Sequence, residues 1–334
     1  MGKILESRYG MPPIDVVYAR TGSYIDIKLG ISRAISDAIG ADPRVMSTEK
    51  SPFGMSQRAT RSDVDSGDPY DKKNAKASEF DAYLSYVMTA WYCPSGGTVL
   101  DPFAGGPIRA VASDMVGASY YGIDISNEQI DFDRRLVDIC DVPATFVCGD
   151  SSEEASYGDI KANFMITCPP YYDVERYGGG ERDLSMMSHD CFEEAYARCL
   201  ERAVGHLCRP SFAVIVVGDA RDRDGSIRCL DHVTIDIMRD LGAMLYNRCV
   251  LIPPVGSACI RCVKPFDRSG KIMRGHQHIL VFYLSDGDMK PEEFWRHIHP
   301  DGASITPPLE AFRRSHVGLY LDRINGGGDD DVDA

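Results

Sequence analysis

Two short motifs hold the residues whose types and spacing could do chemistry. The first, Asp101-Pro-Phe-Ala-Gly-Gly106, combines a carboxylate with two glycines. Glycine has no Cβ, so its backbone can pass close to a ligand. The second, Cys168-Pro-Pro-Tyr-Tyr172, has two prolines that keep the chain extended and fix the direction of the preceding carbonyls. The tyrosines behind them offer an aromatic face to a flat ring.

Two further carboxylates follow the first motif at regular intervals. Asp124 comes 18 residues after Gly106, a distance at which an acidic residue accepts both ribose hydroxyls of a bound nucleoside. It could equally, with Ser126, cap the next helix. Asp150 follows Gly149 and could accept a hydrogen bond from an adenine amino group, or simply be a turn residue. Both readings stay open for each residue.

Alternating strands and helices place these motifs. The predicted strands are 98–101, 120–124, 144–148, 164–167, 212–217, 244–252 and 278–284. The predicted helices are 78–92, 107–116, 127–139, 188–207 and 230–241. This alternation predicts an α/β fold with a mainly parallel sheet, in which ligands bind at the carboxyl ends of the strands. The last two strands flank a long loop without a predicted helix, which predicts an antiparallel pair at the sheet edge.

Length and composition predict four parts of the chain. The 334 residues, 44% of them hydrophobic, suffice for one large or two small domains. We expect an N-terminal extension over residues 1–76, a catalytic domain over 77–287, a C-terminal extension over 288–325 and a disordered acidic tail over 326–334. No apolar run is long enough to cross a membrane, so we expect a cytoplasmic protein.

Charge and cysteine usage exclude several classes of protein. A net charge of −14 argues against a protein that coats nucleic acid by bulk charge. The 11 cysteines are an odd, scattered set, which favours reduced thiols over a disulfide framework. Cys259-Ile-Arg-Cys262, even with His276 and His278, matches no zinc spacing, so we predict no metal site.

Together the motifs resemble the amino-methylating DNA methyltransferases, which modify adenine N6 or cytosine N4, and methylase-like proteins of bacteriophages and bacteria. Residues 101–106 look like the family's cofactor loop, Tyr121-Gly-Ile-Asp124 like its ribose-binding strand, and Thr167-Cys-Pro-Pro-Tyr-Tyr172 like its catalytic loop. The resemblance covers about residues 78–285. It implies a Rossmann-like methyltransferase fold of seven strands with an antiparallel edge strand, and S-adenosylmethionine as cofactor. It also implies a DNA partner whose target base is flipped out. The protein would act as a monomer or homodimer in a bacterial cell or phage-infected host.

The resemblance carries roles to individual residues. The expected cofactor-binding residues are Phe80, Asp101, Pro102, Phe103, Ala104, Gly105, Gly106, Asp124, Ile125 and Asp150. The expected catalytic residues are Cys168, Pro169, Pro170 and Tyr171. Tyr171 would stack on the flipped base, while the Pro169 carbonyl and the Cys168 side chain accept hydrogen bonds from its amino group. Such transfer needs alignment and a charge sink but no covalent enzyme intermediate.

Position 168 departs from the Asp, Asn or Ser that the family uses. A thiol is a weak hydrogen-bond partner. The run is closer to the Thr-Ser-Pro-Pro-Tyr-Tyr of cytosine-N4 enzymes than to Asp-Pro-Pro-Tyr, which favours cytosine N4 slightly over adenine N6. The departure leaves open an RNA base, an unusual base modification, or a methyltransferase-like binding protein without catalysis.

Target recognition has three candidate segments, residues 41–76, 173–190 and 253–277. The last is the most basic, with Asp267 as its acid, and its cations could contact phosphates or form a solvated charged surface. The expected substrate-binding residues are Tyr172, Arg261, Lys264, Arg268, Lys271 and Arg274.

Overall fold

The structure is a computed structural model that describes residues 8–9, 11, 13–18, 30, 80–173, 180–222, 224–252 and 262–326. The recognition candidate at 41–76, nearly all of the N-terminal extension, Cys259, Arg261 and the acidic tail beyond residue 326 lie outside this part. Statements about those segments stay predictions.

Eight strands form one sheet in the order β1-β7-β8-β6-β5-β2-β3-β4. They are β1 Val16–Tyr18, β2 Thr98–Asp101, β3 Ser119–Asp124, β4 Ala144–Cys148, β5 Ala162–Thr167, β6 Leu207–Val217, β7 Ala243–Ile252 and β8 Gln277–Leu284. Only β8 runs antiparallel to its neighbours. The predicted Rossmann-like α/β class and the antiparallel pair are confirmed. The sheet has one strand more than predicted because β1 pairs with β7 at the edge, and β8 lies inside the sheet between β6 and β7.

Helices cover both faces of this sheet. They are α1 Ala82–Tyr92, α2 Ile108–Asp114, α3 Asn127–Cys140, α4 His189–Gly205, α5 Leu230–Asp240, α6 Val263–Ser269, α7 Pro291–Ile298, α8 Pro308–Arg314 and α9 His316–Gly326. Helix α1 starts at Ala82, because Asp81 accepts the Leu84 amide at 2.8 Å and caps it, whereas the predicted start at Ser78 lies outside the described residues. Helix α6 lies in the segment predicted as loop.

Strand alternation divides the core into two layers. In β6, Phe212, Val214 and Val216 pack with one cluster, and the residues between them pack with the other. A period of two is expected of a strand that is buried on both faces. The helices beyond residue 290 add Phe294 and Phe312 to the first cluster, so the predicted C-terminal extension shares the core of residues 80–284.

The strand order reverses between β2 and β5. Strands β3 and β4 follow β2 on one side, and β6 follows β5 on the other. Loops leaving β2 and β5 in opposite directions open a crevice at this point, where open α/β sheets bind their ligands. The two chemical motifs of the sequence are the loops after these two strands.

Candidate active site

A buried carboxylate ties the two loops together. Asp101 ends β2 and is 0% exposed. The Thr167 hydroxyl, at the end of β5, donates to Asp101 Oδ1 at 2.7 Å, and the Tyr120 hydroxyl donates to Oδ2 at 2.7 Å. Arg109 Nε also donates to Oδ2, and the Phe103 amide donates to Oδ1 at 3.1 Å. With four protein donors around it, Asp101 lies beneath the first loop and fixes its base. Its predicted contact with a methionine moiety stays a prediction.

Arg109, from the first turn of α2, holds the same loop from behind. Its guanidinium donates to the carbonyls of Phe103 at 2.6 Å and Ala104 at 2.8 Å. Burial is the largest single effect and opposes the charge, but Asp101, Tyr120 and Cys168 together outweigh it and raise the pKa of Arg109. Phe80 covers the guanidinium with its ring at 4.6 Å. Phe80 therefore lies next to the residue that holds the first loop, and its predicted contact with a cofactor stays a prediction. Arg109 was not predicted.

The glycine turn of the first loop is open on its outer side. Gly105 has a φ of +52°, which favours glycine, and a Cβ built there would meet no atom within 4 Å. Its amide donates to Asp124 Oδ2 at 2.8 Å, and the Ser126 amide donates to Oδ1 at 2.8 Å. Burial raises the pKa of Asp124, against these two hydrogen bonds. Ser126 rather than Asp124 caps α3, since its hydroxyl accepts the Gln129 amide at 3.3 Å.

Asp150 lies at the adjacent strand end. Because Asp124 pairs with Cys148 across β3 and β4, the half-buried carboxylates of Asp124 and Asp150 follow neighbouring strands. Asp150 Oδ1 accepts the Ser152 amide at 2.9 Å, as in an Asx turn. Next to it the Ser151 hydroxyl donates to the Pro102 carbonyl of the first loop. The interpretation of Asp150 as a turn residue is therefore correct, and its predicted contact with adenine stays a prediction.

These residues fit a nucleoside cofactor that carries positive charge. The opening is bordered by a glycine turn that no side chain obstructs and by the half-buried residues Asp124, Ile125 and Asp150. Arg109 lies beneath it and is paired with Asp101. Buried carboxylates favour a cation, and their oxygens can accept further hydroxyl or amino donors. Within the described residues, no group of three His, Cys, Asp or Glu side chains could hold a metal ion.

In the second loop a hydrogen-bond chain leads to Cys168. Gln277 Nε2, at the start of β8, donates to the Tyr171 hydroxyl at 3.0 Å, and that hydroxyl lies 3.0 Å from Cys168 Sγ. Pro169 is buried and Pro170 half-buried, so the loop is fixed on both sides of its turn. The structure thus joins two of the four predicted catalytic residues, Cys168 and Tyr171, and adds Gln277, which sequence reasoning had not assigned a role.

Tyr171 lies against the end of β6. A Cβ on Gly218 would stand 2.7 Å from its ring and 3.2 Å from the Arg274 guanidinium. Any larger residue at 218 would therefore displace this ring. The half-exposed Tyr171 and the cation of Arg274 thus share the wall of the crevice next to β5.

Tyr172 occupies the interior instead of the opening. It is 2% exposed, has a φ of +54°, and stacks on His189 at 5.0 Å between ring centroids. Its hydroxyl donates to Glu193 at 3.1 Å, and Arg228 covers its other side at 4.8 Å. In this structure Tyr172 has almost no accessible surface for the predicted contact with substrate, because the left-handed backbone turns its side chain towards α4.

Of the predicted basic residues, Arg274 lies at the wall of the crevice beside Tyr171. Lys264, Arg268 and Arg274 are exposed and Lys271 is half-exposed, while Arg261 lies outside the described residues. Lys271 packs over the turn at Gly225, where a Cβ would stand 3.0 Å from its Cε. These four cations occupy the segment that leads into β8, at the same sheet edge as the two loops.

Sequence reasoning missed the residues that support the loops. Gln277 contacts Tyr171, 106 residues earlier in the chain, and no local pattern shows such a contact. Arg109 had a local signal, because it follows Ile108 at the start of a mostly apolar helix and a buried arginine needs a partner. Asp101, 8 residues earlier, is that partner.

No helix within the described residues is long and apolar enough to cross a membrane. No protein-family model and no curated protein matches the sequence.

Several solved structures share part of this architecture. TrmN from Thermus thermophilus is 13% identical over 61% of this chain and 49% of its own, with a TM-score of 0.41. An rRNA methylase from Streptococcus thermophilus is 8% identical over 62% of this chain and 98% of its own, with a TM-score of 0.38. SMU.1697c from Streptococcus mutans, solved in complex with SAH, is 11% identical over 62% of this chain and 100% of its own, with a TM-score of 0.40. The chain thus spans about half the length of TrmN. At these scores the likeness is too distant to indicate an activity or a substrate.

Proposed function

We propose that the chain is an S-adenosylmethionine-dependent methyltransferase that modifies the exocyclic amino group of a DNA base, with cytosine N4 favoured over adenine N6. The hydrogen bond from Thr167 to Asp101 carries the proposal. It holds the Cys168–Tyr171 loop beside the glycine turn at the point where the strand order reverses. A donor pocket and an acceptor pocket that share one crevice are the arrangement that direct group transfer needs.

The cofactor pocket would use the opening between the ends of β2, β3 and β4. Asp124 would accept the ribose hydroxyls, Asp150 would accept the adenine amino group, and the Gly105–Gly106 backbone would lie along the methionine part. When bound there, S-adenosylmethionine supplies a methyl group on a positively charged sulfur. Asp124 and Asp150 make the pocket attractive to that charge, and Arg109 keeps the loop in place without facing it.

The acceptor pocket would use the second loop. An enzyme that works on a base must extrude it from the stack and hold it against an aromatic face, and Tyr171 is the half-exposed ring at this position. The carbonyl of Pro169 and the Cys168 side chain would accept hydrogen bonds from the amino group and so orient the nitrogen lone pair. The amino nitrogen would attack the methyl group directly, the bond from that methyl to sulfur would break and leave neutral S-adenosylhomocysteine in the cofactor pocket, and the proton of the methylated amine would then pass to solvent.

The experiment that tests this proposal compares nucleic acids as acceptors. The full chain is incubated with radiolabelled S-adenosylmethionine and unmethylated genomic DNA, heat-denatured DNA or total RNA, and the products are identified by nucleoside mass spectrometry. We expect N4-methylcytosine or N6-methyladenine in DNA. Label in RNA alone, or in another nucleoside, would replace the DNA acceptor. Cofactor binding without transfer to any of them would indicate a methyltransferase-like binding protein.

Two variants of one residue locate the acceptor pocket. Tyr171→Phe keeps the ring and removes the hydrogen bonds to Gln277 and Cys168, whereas Tyr171→Ala removes the ring. Stacking on a base is worth about 1–3 kcal/mol, so transfer by Tyr171→Ala should be about 5- to 150-fold lower than transfer by Tyr171→Phe. Both should bind S-adenosylmethionine like the wild type in calorimetry. Equal transfer by Tyr171→Ala and wild type would refute the stacking role.

A further inference from the structure

Large apolar side chains are exposed on and just behind helix α6. Val263 is 51% exposed, Phe266 56% and Ile272 73%. Within α6 no residue is buried, so the helix has no apolar face against the core. Single exposed apolar residues are ordinary, but three within ten residues form a patch, and such patches mark interaction sites.

Cations interleave with these apolar side chains. Lys264, Arg268 and Lys271 alternate with them, and Asp267 is the single acid between residues 262 and 276. A segment with net positive charge is exceptional in a chain whose total is −14. Its charge complements a polyanion, and phosphate contacts of this kind position a nucleic-acid strand without reading its sequence.

The patch is anchored to the acceptor side of the crevice. Arg274 stands beside Tyr171 at the Gly218 wall, and three residues later Gln277 donates to the Tyr171 hydroxyl. Lys271 packs on the Gly225 turn, which fixes the chain between α6 and β8. The segment that carries Phe266 and these cations thus leads directly into the residues that contact Tyr171.

We propose that α6 is a duplex-entering element in which Phe266 inserts into the base stack when the target base leaves it, while Lys264 and Arg268 contact the flanking phosphates. Apolar wedges of this kind unstack a base step and stabilise deformed DNA. The proposal rests on the proposed function, because a wedge serves only an enzyme whose target base must leave a duplex. Phe266 acts on the paired state of the substrate and takes no part in the transfer itself.

The test compares Phe266→Ala with Met244→Ala on native and on heat-denatured genomic DNA. Met244 is a matched control because it is 52% exposed at the opposite end of β7 from the crevice. Extrusion from a duplex costs a few kcal/mol and from single strands least. We therefore expect Phe266→Ala to lose about tenfold in transfer to native DNA and less than about twofold on denatured DNA. Met244→Ala should match wild type on both.

Three results would overturn the inference. The first is an equal loss for Phe266→Ala on native and denatured DNA, and the second is no loss on either. The third is a dimer in sedimentation that Phe266→Ala converts to monomer, because a second copy would then cover the patch. A wild-type chain that transfers no methyl group to either DNA refutes the proposed function instead, and it is recognised before any variant is compared.

Discussion

Removal of Arg109 is the sharpest test of how the site is built. Arg109→Met keeps most of the length of the side chain and removes the guanidinium that pairs with Asp101. Both side chains are buried, at 5% and 0% exposure. The variant therefore leaves a carboxylate in the interior with only neutral hydrogen-bond donors around it.

The magnitude follows from that burial. A buried ion pair that loses one partner costs about 3–5 kcal/mol, because the remaining charge is uncompensated. Tyr120, Thr167 and the Phe103 amide still donate to Asp101, so we expect the lower half of that range. With a urea dependence of about 3 kcal/mol per molar for a chain of this size, the unfolding midpoint should fall by about 1 M.

Urea unfolding followed by circular dichroism measures this shift. Arg239→Met is the matched control, since Arg239 pairs with Asp236 at 3.8 Å on the surface and should change the free energy of unfolding by less than about 1 kcal/mol. Asp101→Asn in the Arg109→Met background removes the orphaned charge and should recover at least half of the loss. An Arg109→Met midpoint equal to that of Arg239→Met would refute the reasoning, and so would a double variant less stable than Arg109→Met.

Four further predictions concern single residues. Asp124→Ala should weaken S-adenosylmethionine binding in calorimetry by about tenfold or more, as expected when hydrogen bonds to a charged group worth about 1.5–3 kcal/mol are lost; unchanged affinity would exclude Asp124 from the pocket. Exposed Cys148, which pairs with Asp124 across the strands, should be protected by S-adenosylmethionine from iodoacetamide in peptide-resolved mass spectrometry, whereas exposed Cys191 on α4 should not; equal protection would place the cofactor elsewhere. Burial lowers the pKa of His278, so the folded chain binds fewer protons there than the unfolded one, and folding loses stability as pH falls below the ordinary histidine pKa of about 6.5. In His278→Phe, the free energy of unfolding should decrease less between about pH 7 and pH 5 than in the wild type. The same pH dependence in both proteins would contradict this prediction. Cys168→Ala should lower kcat by no more than about tenfold, the worth of one net hydrogen bond, and complete loss of transfer would contradict that limit.

The strand and helix pattern was readable from the sequence because periodicity is local. The β-branched run around Val214 predicts a buried strand, and the predicted bounds 98–101 and 144–148 agree with the structure. The edge strand Val16–Tyr18 was missed because three residues are too few for a pattern to emerge. Its assignment to the sheet depends on pairing with β7, more than 230 residues away in sequence.

The motifs of the candidate site could be predicted from the sequence, but the residues that hold its loops in place could not. Turn glycines and strand-end carboxylates have local signatures, so Gly105 and Asp124 could be identified directly. The partners of Asp101 could not, because Thr167 comes from a strand 66 residues later and becomes a neighbour only through the strand order. Tyr172 was assigned to the substrate because sequence spacing does not show that its backbone is left-handed.

Cys168 becomes less of an obstacle once its contact inside the loop is considered. A carboxamide nitrogen can only donate, so the Tyr171 oxygen accepts from Gln277, and the same hydroxyl lies 3.0 Å from Cys168 Sγ in a contact in which either atom can donate. In either direction, this contact helps to hold the Tyr171 ring. Because a thiol is a weak hydrogen-bond partner, the Pro169 carbonyl, held by a rigid proline pair, would be the principal acceptor for an amino group in the proposed reaction. A carboxylate at position 168 would be needed if the side chain had to remove a proton, but an amine that attacks a sulfonium methyl loses its proton only after transfer. The departure from Asp, Asn or Ser at this position is therefore compatible with catalysis.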